Sequence, residues 1–366
     1  MDLATVVTRR EVNRFLADSA TGLPVIVKDS QGKLVPSQCD DTNGDGSWDE
    51  LIFLCNLEAG ESRKLLFEPV EPAAYPVFDV RTHLRFCRAD EPHDKAWGDP
   101  RMITNDTKFT IPVYQMEGPA WENDLVAFRN YYDRRNGIDI YGKRVHEMVL
   151  DNVGVKGTNY HELAPWGMDI LKVGNSLGAG AIAIGVGDSI YRIGPCEEGR
   201  FRLISQGPVR TVFELTYKNV PAGDRLYSVR QQISIYAGDD FYRNNVQVDG
   251  LRGDEVLVTG IVNMHDLVAD KTDDGNMKIL STWGKQSMNE DVLGMAVIFP
   301  SSEFRRYWEA PITGSGIVST HLISLGLSAD KPTQYAFVAA WELQDAKLKD
   351  KGYFNDGLKE AAVKLK

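Results

Sequence analysis

The chain has 366 residues, of which 43% are hydrophobic and 25% charged, and its formal net charge is −11 at pH 7. That composition is the profile of a globular protein with ample core-forming material, one large domain or two ordinary ones. The acidic balance argues against nucleic-acid binding, which needs a cationic face, but leaves room for an anionic small ligand gripped by a few local Arg or Lys side chains.

No run of 18 or more apolar residues occurs, so no membrane-spanning helix is expected. The N-terminal MDLATVVTRREVNRF lacks the apolar centre of a signal peptide. Cys39, Cys55, Cys87 and Cys196 lie far apart without a C-x-x-C pair, which opposes a zinc site and a disulfide-dense scaffold and predicts buried thiols.

Short runs rich in Val, Ile, Tyr, Phe and Thr recur along the chain, separated by Gly, Asn, Asp or Pro. They include Leu23–Lys28, Leu51–Leu57, Phe109–Tyr114, Ala181–Val186, Val209–Tyr217, Tyr227–Ile235, Val256–Val262, Leu293–Phe299 and Tyr335–Ala340. Many alternate apolar with polar, the period of half-buried strands, and predict a mainly β fold, a large antiparallel sandwich. Helical periodicity is confined to Asp345–Lys366, which predicts a charged C-terminal helix. Around Glu68–Tyr75 the residues Pro69, Pro72 and then Pro76 interrupt strand pairing. This seam divides an N-terminal β unit over 1–70, separate or integral to the sandwich, from a main body over 71–366.

Three constellations bear on chemistry. In Asp40–Glu50, DDTNGDGSWDE, oxygen side chains fall at Asp41, Asn43, Asp45 and Asp49 with Gly46 between them. Alternate oxygens converging on a hard cation, with a glycine for the sharp turn, are the head of a calcium loop. The closing acid is absent, since Ile52 stands in its place, and a strand follows where an EF-hand has a helix. An Asx-Gly turn between two strands uses the same residues. Calcium and the plain turn both stay open, and no organic cofactor is expected. In Gly174–Gly178, GNSLG, Ser176 sits as in a nucleophile elbow, but the glycine-rich strand that follows is not the helix that motif requires.

The third constellation, Trp121–Lys172, holds Trp121, Glu122, Asp124, Arg129, Tyr132, Asp139, Lys143, His146, Tyr160, His161, Trp166, Asp169 and Lys172. Aromatic faces stack on the apolar side of a pyranose while charged groups bond its hydroxyls, so this mixture suits a sugar. Trp121 and Trp166 are the expected platforms, with Glu122 and Asp169 for hydroxyls. Arg129 or Lys172 would meet a carboxylate.

The run GPAWENDLVAFRNYYD, then GIDIYGK, then YHELAPWGMDILKVGNSLGAGAIAI resembles a family of bacterial secreted proteins known as a domain of unknown function, with members in polysaccharide-utilisation gene clusters. The acidic loop looks like that family's N-terminal loop, so the resemblance covers most of the chain. It implies a β-supersandwich similar to galactose mutarotases. It also implies an activity like that of ulvan oligosaccharide dehydratases, which act on a terminal uronic acid, and a periplasmic or secreted location after removal of a leader; a cytoplasmic one is the alternative.

Eliminating water across C4–C5 of a uronate needs a base at C5–H and an acid at the 4-hydroxyl, with the carboxylate charge neutralised as the enolate-like state develops. His161 or Tyr160 is the expected base and Lys143 the alternative; His265 or the tyrosine is the expected acid. Three other readings stay open: a glycoside hydrolase using Glu122 with Asp124 or Asp169, a mutarotase-like epimerase using two histidines, and a glycan-binding protein without chemistry. The partner in each is an oligosaccharide, anionic in the first reading.

Overall fold

The computed structural model describes residues 3–16, 22–57, 60–89, 113–155 and 157–366. The chain is mainly β, as its alternating pattern predicts, and among the described residues its strands pair antiparallel in five sheets. The largest sheet has eight strands. Its centre is built from Arg210–Ala222, Arg225–Tyr236, Phe241–Asp249, Thr333–Trp341 and Val292–Pro300. Several expected runs fall inside longer strands, as Tyr227–Ile235 does within Arg225–Tyr236 and Val256–Val262 within Glu255–Val262, while Leu51–Leu57 overruns the strand Glu50–Leu54. Most of the expected strand Phe109–Tyr114 lies outside the described residues.

Two five-stranded sheets face this large one. The first comprises Thr82–Arg85, Ala120–Asn123, Val126–Asn130, Ile138–Lys143 and Gly167–Asp169; the second is centred on Glu255–Val262 and Thr320–Gly326. Single bridges, Ile138 to Gly178 and Ala179 to Ile261, stitch them into one layer. Gly178 has φ +66°, and a Cβ there would stand 2.0 Å from the Ile138 carbonyl oxygen, so only glycine permits the stitch. Between the layers lies one core containing Trp121, Phe128, Ile140, Phe213, Ile233, Tyr242 and Phe337.

The outward face of the eight-stranded sheet is covered in two places. At one, Ile52 and Leu54 of the N-terminal β unit pack on Val209 and Tyr236. Arg210 ties the same unit down through Asp40 and, at 2.8 Å, Glu50. At the other, the helix Lys351–Lys364 lays Phe354, Leu358, Ala361 and Ala362 on Ala296, Ile298 and Val338. The helix starts later than the periodicity suggests, because Asp350 caps it by accepting the Tyr353 N–H while Ala346–Lys349 forms a separate 3-10 turn. No helix among the described residues is long and apolar enough to cross a membrane.

Candidate functional site

Alternation along Val126–Asn130 and Ile138–Lys143 sends Val126, Phe128, Ile138 and Ile140 into the core and turns Ala127, Arg129, Asp139, Tyr141 and Lys143 to the outward face. Two polar assemblies form there, with different fates.

The first is Lys143 with Glu122. Lys143 Nζ donates to Glu122 Oε2 at 2.7 Å and to the Asn123 carbonyl at 2.6 Å, and Glu122 also accepts the Val149 and Leu150 N–H groups at 2.8 and 2.9 Å. Both side chains are fully buried. Burial pushes the Lys143 ammonium below its usual range, against the raising influence of Glu122. Lys143 as a base and Glu122 as a hydroxyl ligand are therefore corrected: the pair closes the Val149–Leu150 segment onto the sheet. Trp121 is corrected too, because it is wholly buried against Phe128, Phe213 and Tyr242 and offers no face to a sugar.

The second assembly centres on Arg129, itself only 1% exposed. One guanidinium nitrogen donates to the Met116 carbonyl at 2.8 Å, Glu117 at 3.1 Å and the Tyr160 hydroxyl at 3.4 Å. The other donates to the Tyr131 hydroxyl at 2.7 Å, Asp139 at 2.8 Å and Asp169 at 3.4 Å. Tyr131 in turn donates to Asp139 at 2.8 Å, and its ring lies 4.2 Å beneath the guanidinium. With both terminal nitrogens so committed and the whole side chain buried, Arg129 is an organiser of carboxylates; the expected grip on a ligand carboxylate is corrected. Lys172 is exposed and makes no ion pair among the described residues, which leaves its ammonium available for that charge.

Asp169 is where the assembly meets solvent. Its Oδ2 lies 3.4 Å from His161 Nδ1, and the His161 side chain is 60% exposed. Burial first, then the neighbouring Asp139 carboxylate and a hydrogen bond to it, hold the Asp169 carboxyl well above the usual range, with Arg129 opposing. Asp169 therefore keeps a proton where an ordinary aspartate has lost it. The Tyr160 ring stands 4.4 Å from that of His161, and its phenol is raised by burial and so stays protonated, though Arg129 pulls the other way. Trp166, half-buried, and Tyr160 both pack edge-on against Tyr141.

The fold thus brings together Arg129, Tyr160, His161 and Asp169, with Trp166 beside them. It adds Glu117, Tyr131 and Tyr141, which sequence reading did not select, and Asp139, which sequence reading placed in the stretch without a role. Asp139 had one available signal, its i, i+10 spacing from Arg129 across a hairpin, which pairs the two in register. His265 is exposed in the loop after Glu255–Val262 and has no hydrogen bond or ion pair among the described residues. The two carboxylates Glu122 and Asp124 are each bound internally, Asp124 by Arg81 at 2.5 Å and by the Gly238 N–H at 2.8 Å. Ser176 is buried, donating to the Val173 carbonyl and accepting the Gly178 N–H.

In the acidic loop the carboxylates turn inward. Asp41 accepts the Gly44, Asp45 and Gly46 N–H groups, and Asp49 accepts the Thr42 N–H and hydroxyl and the Asn43 N–H and amide. Asn43 and Asp45 each cap the residue two further on. No group of three or more His, Cys, Asp or Glu side chains among the described residues is arranged to hold a metal ion.

The family model described as "Domain of unknown function (DUF4861)" matches residues 2–366. A relative from Formosa agariphila, "Uncharacterized protein P7", is 29% identical over 199 residues, which is 50% of this chain and 49% of that protein. Among solved structures, a protein in the glycosyl hydrolase family 38 from Enterococcus faecalis superposes with TM-score 0.43 at 8% identity, covering 93% of this chain and 43% of that one. An alpha-mannosidase from Enterococcus faecalis V583 gives TM-score 0.39 at 9% identity, over 93% and 41%.

Proposed function

Since the chain belongs to the DUF4861 family, whose activity its description leaves open, we propose from the site's own chemistry that it is a carbohydrate-active lyase. In this reading it acts on an oligosaccharide ending in a uronic acid and eliminates water across C4–C5. The observation that carries it is the exposed His161 standing beside a buried carboxyl, Asp169, with a protonated phenol, Tyr160, as its ring neighbour. A base and an acid at adjacent positions on one wall are what removal of a proton and a hydroxyl from neighbouring carbons requires.

The His161 imidazole takes the C5 proton, and the C–H electron pair becomes the C4=C5 bond. The C4–O bond breaks toward oxygen, and the Tyr160 phenol supplies the proton that makes the departing group water. Asp169, itself set by Arg129, holds His161 in place through its Nδ1. Lys172 meets the substrate carboxylate as charge builds on it. The half-buried Trp166 edge offers the sugar an apolar wall. A hydrolase reading loses its support, since Glu122 and Asp124 are both committed inside the fold.

The test is incubation of the chain with oligosaccharides ending in glucuronate or iduronate, following the ultraviolet absorbance of the conjugated double bond and any released sugar. Unsaturation without chain cleavage supports the reading. Released sugar alone, or no reaction across the panel, overturns it.

A further inference from the structure

On the opposite side of the molecule, the outward face of the eight-stranded sheet is left bare between the N-terminal β unit and the end of the C-terminal helix. The gap is a cleft of about 510 Å³. Its floor is a polar row in register: Gln232 pairs with Asn245, and Asn245 pairs with Gln334, so three amide side chains from adjacent strands stand side by side. Ser234, paired with Arg243, begins the next row. The row is poorly satisfied within the protein. Asn245 Nδ2 reaches Gln232 Oε1 only at 3.5 Å, and among the described residues the amide nitrogen of Gln232, the side chain of Gln334 and the Ser234 hydroxyl have no hydrogen-bond partner. Amides and hydroxyls turned to a concave space in this way suit a ligand with many hydroxyl groups.

The walls carry charge of one sign. Arg210, Arg243, Lys364 and Lys366 line the cleft, against Glu50 alone among acids. Each is paired with a carboxylate: Asp40 and Glu50 on Arg210, Asp239 on both Arg243 and Lys364, and the exposed Asp274 on Lys366. Arg243 is braced flat, 4.2 Å over the Tyr236 ring and 4.6 Å over Phe241, which fixes its guanidinium without using all of its donors. In a chain of net charge −11, a cleft faced by cations over a floor of open amides is a local exception.

We propose that this cleft is a second carbohydrate site, separate from the Arg129 assembly, which holds an anionic saccharide unit. The amide row takes the hydroxyls, and the Arg243 and Lys364 side takes a carboxylate or a sulfate. Because the cleft and His161 lie on outward faces of opposite layers, the cleft performs no chemistry on its ligand. Its role is to hold the glycan on the protein.

The test is calorimetric titration of the full chain with four probes: a uronate-bearing tetrasaccharide, a sulfated tetrasaccharide, a neutral tetrasaccharide and inorganic sulfate. Binding of one or both charged tetrasaccharides, weakening with added salt, is expected, and which of the two binds identifies the anionic group. Gln232→Ala with Asn245→Ala should weaken it by about tenfold or more, and Arg243→Gln should remove the preference over the neutral sugar. The exposed Gln334→Ala, which leaves the fold alone, should weaken binding in the same direction. Equal affinity for the neutral probe, binding of sulfate as tight as that of the tetrasaccharides, unchanged affinity in the amide variants, or no binding to any probe each overturns the proposal. Loss of turnover with binding intact bears on the Arg129 site alone.

Discussion

Asp169 and His161 meet across the boundary between core and solvent: the carboxyl oxygen and the ring Nδ1 are 3.4 Å apart, with Asp169 buried and His161 exposed. Asp169→Asn keeps the shape and removes the acid. If His161 is a base steadied by that acid, His161→Ala should abolish unsaturation of the sugar. Asp169→Asn should lower kcat while leaving KM nearly unchanged and should displace the acidic arm of the pH profile, the one that reports the base. Steady-state kinetics across pH check both. Loss of affinity alone in Asp169→Asn would contradict the role.

The Lys143–Glu122 pair gives a prediction about stability and not about catalysis. Lys143→Met leaves the Glu122 carboxylate buried and uncompensated, so unfolding in urea should become easier by about 3–5 kcal/mol. The double variant Lys143→Met with Glu122→Gln should recover part of that loss. A Lys143→Met protein as stable as wild type would show the pair is dispensable.

Asp240 lines the cavity under the C-terminal helix, and its carboxyl is pushed up to about 7 by burial first and by Asp239 next. A raised carboxyl gives stability that is whole below its unfolded value near 3.8 and is lost as pH rises through about 7. Asp240→Asn removes that loss. Its melting temperature should match that of wild type near pH 4 and exceed it above pH 7, as scanning calorimetry would read.

Asp49 holds the acidic loop closed through Thr42 and Asn43. With a chelator present, so that only these hydrogen bonds count, Asp49→Ala should cost about 1–2 kcal/mol in urea unfolding. An unchanged midpoint would mean the loop's shape is set elsewhere.

Local pattern was enough for the fold class. Period-two alternation at Val209–Tyr217 or Val256–Val262 reports a strand wherever it occurs, and the glycines and prolines between such runs mark the turns. It also placed the C-terminal helix, missing only the Asp350 cap that delays its start. Within the candidate site, sequence composition singled out a stretch but could not sort its members. Trp121, Arg129 and Lys143 all sit in or beside the same hairpin, and whether each faces core, sheet surface or solvent depends on which layer packs behind it. The sheet pairing decided that Trp121 is core, that Lys143 is spent on Glu122, and that Arg129 gathers Asp139 and Asp169 from separate strands. The polar row Gln232, Asn245, Gln334 shows the same limit. Each lies in an ordinary alternating strand, and only the register of three strands sets them side by side. Alternation along a strand is written in the sequence because it is local, whereas the neighbours a side chain meets across strands follow from long-range pairing, which no short window of residues contains.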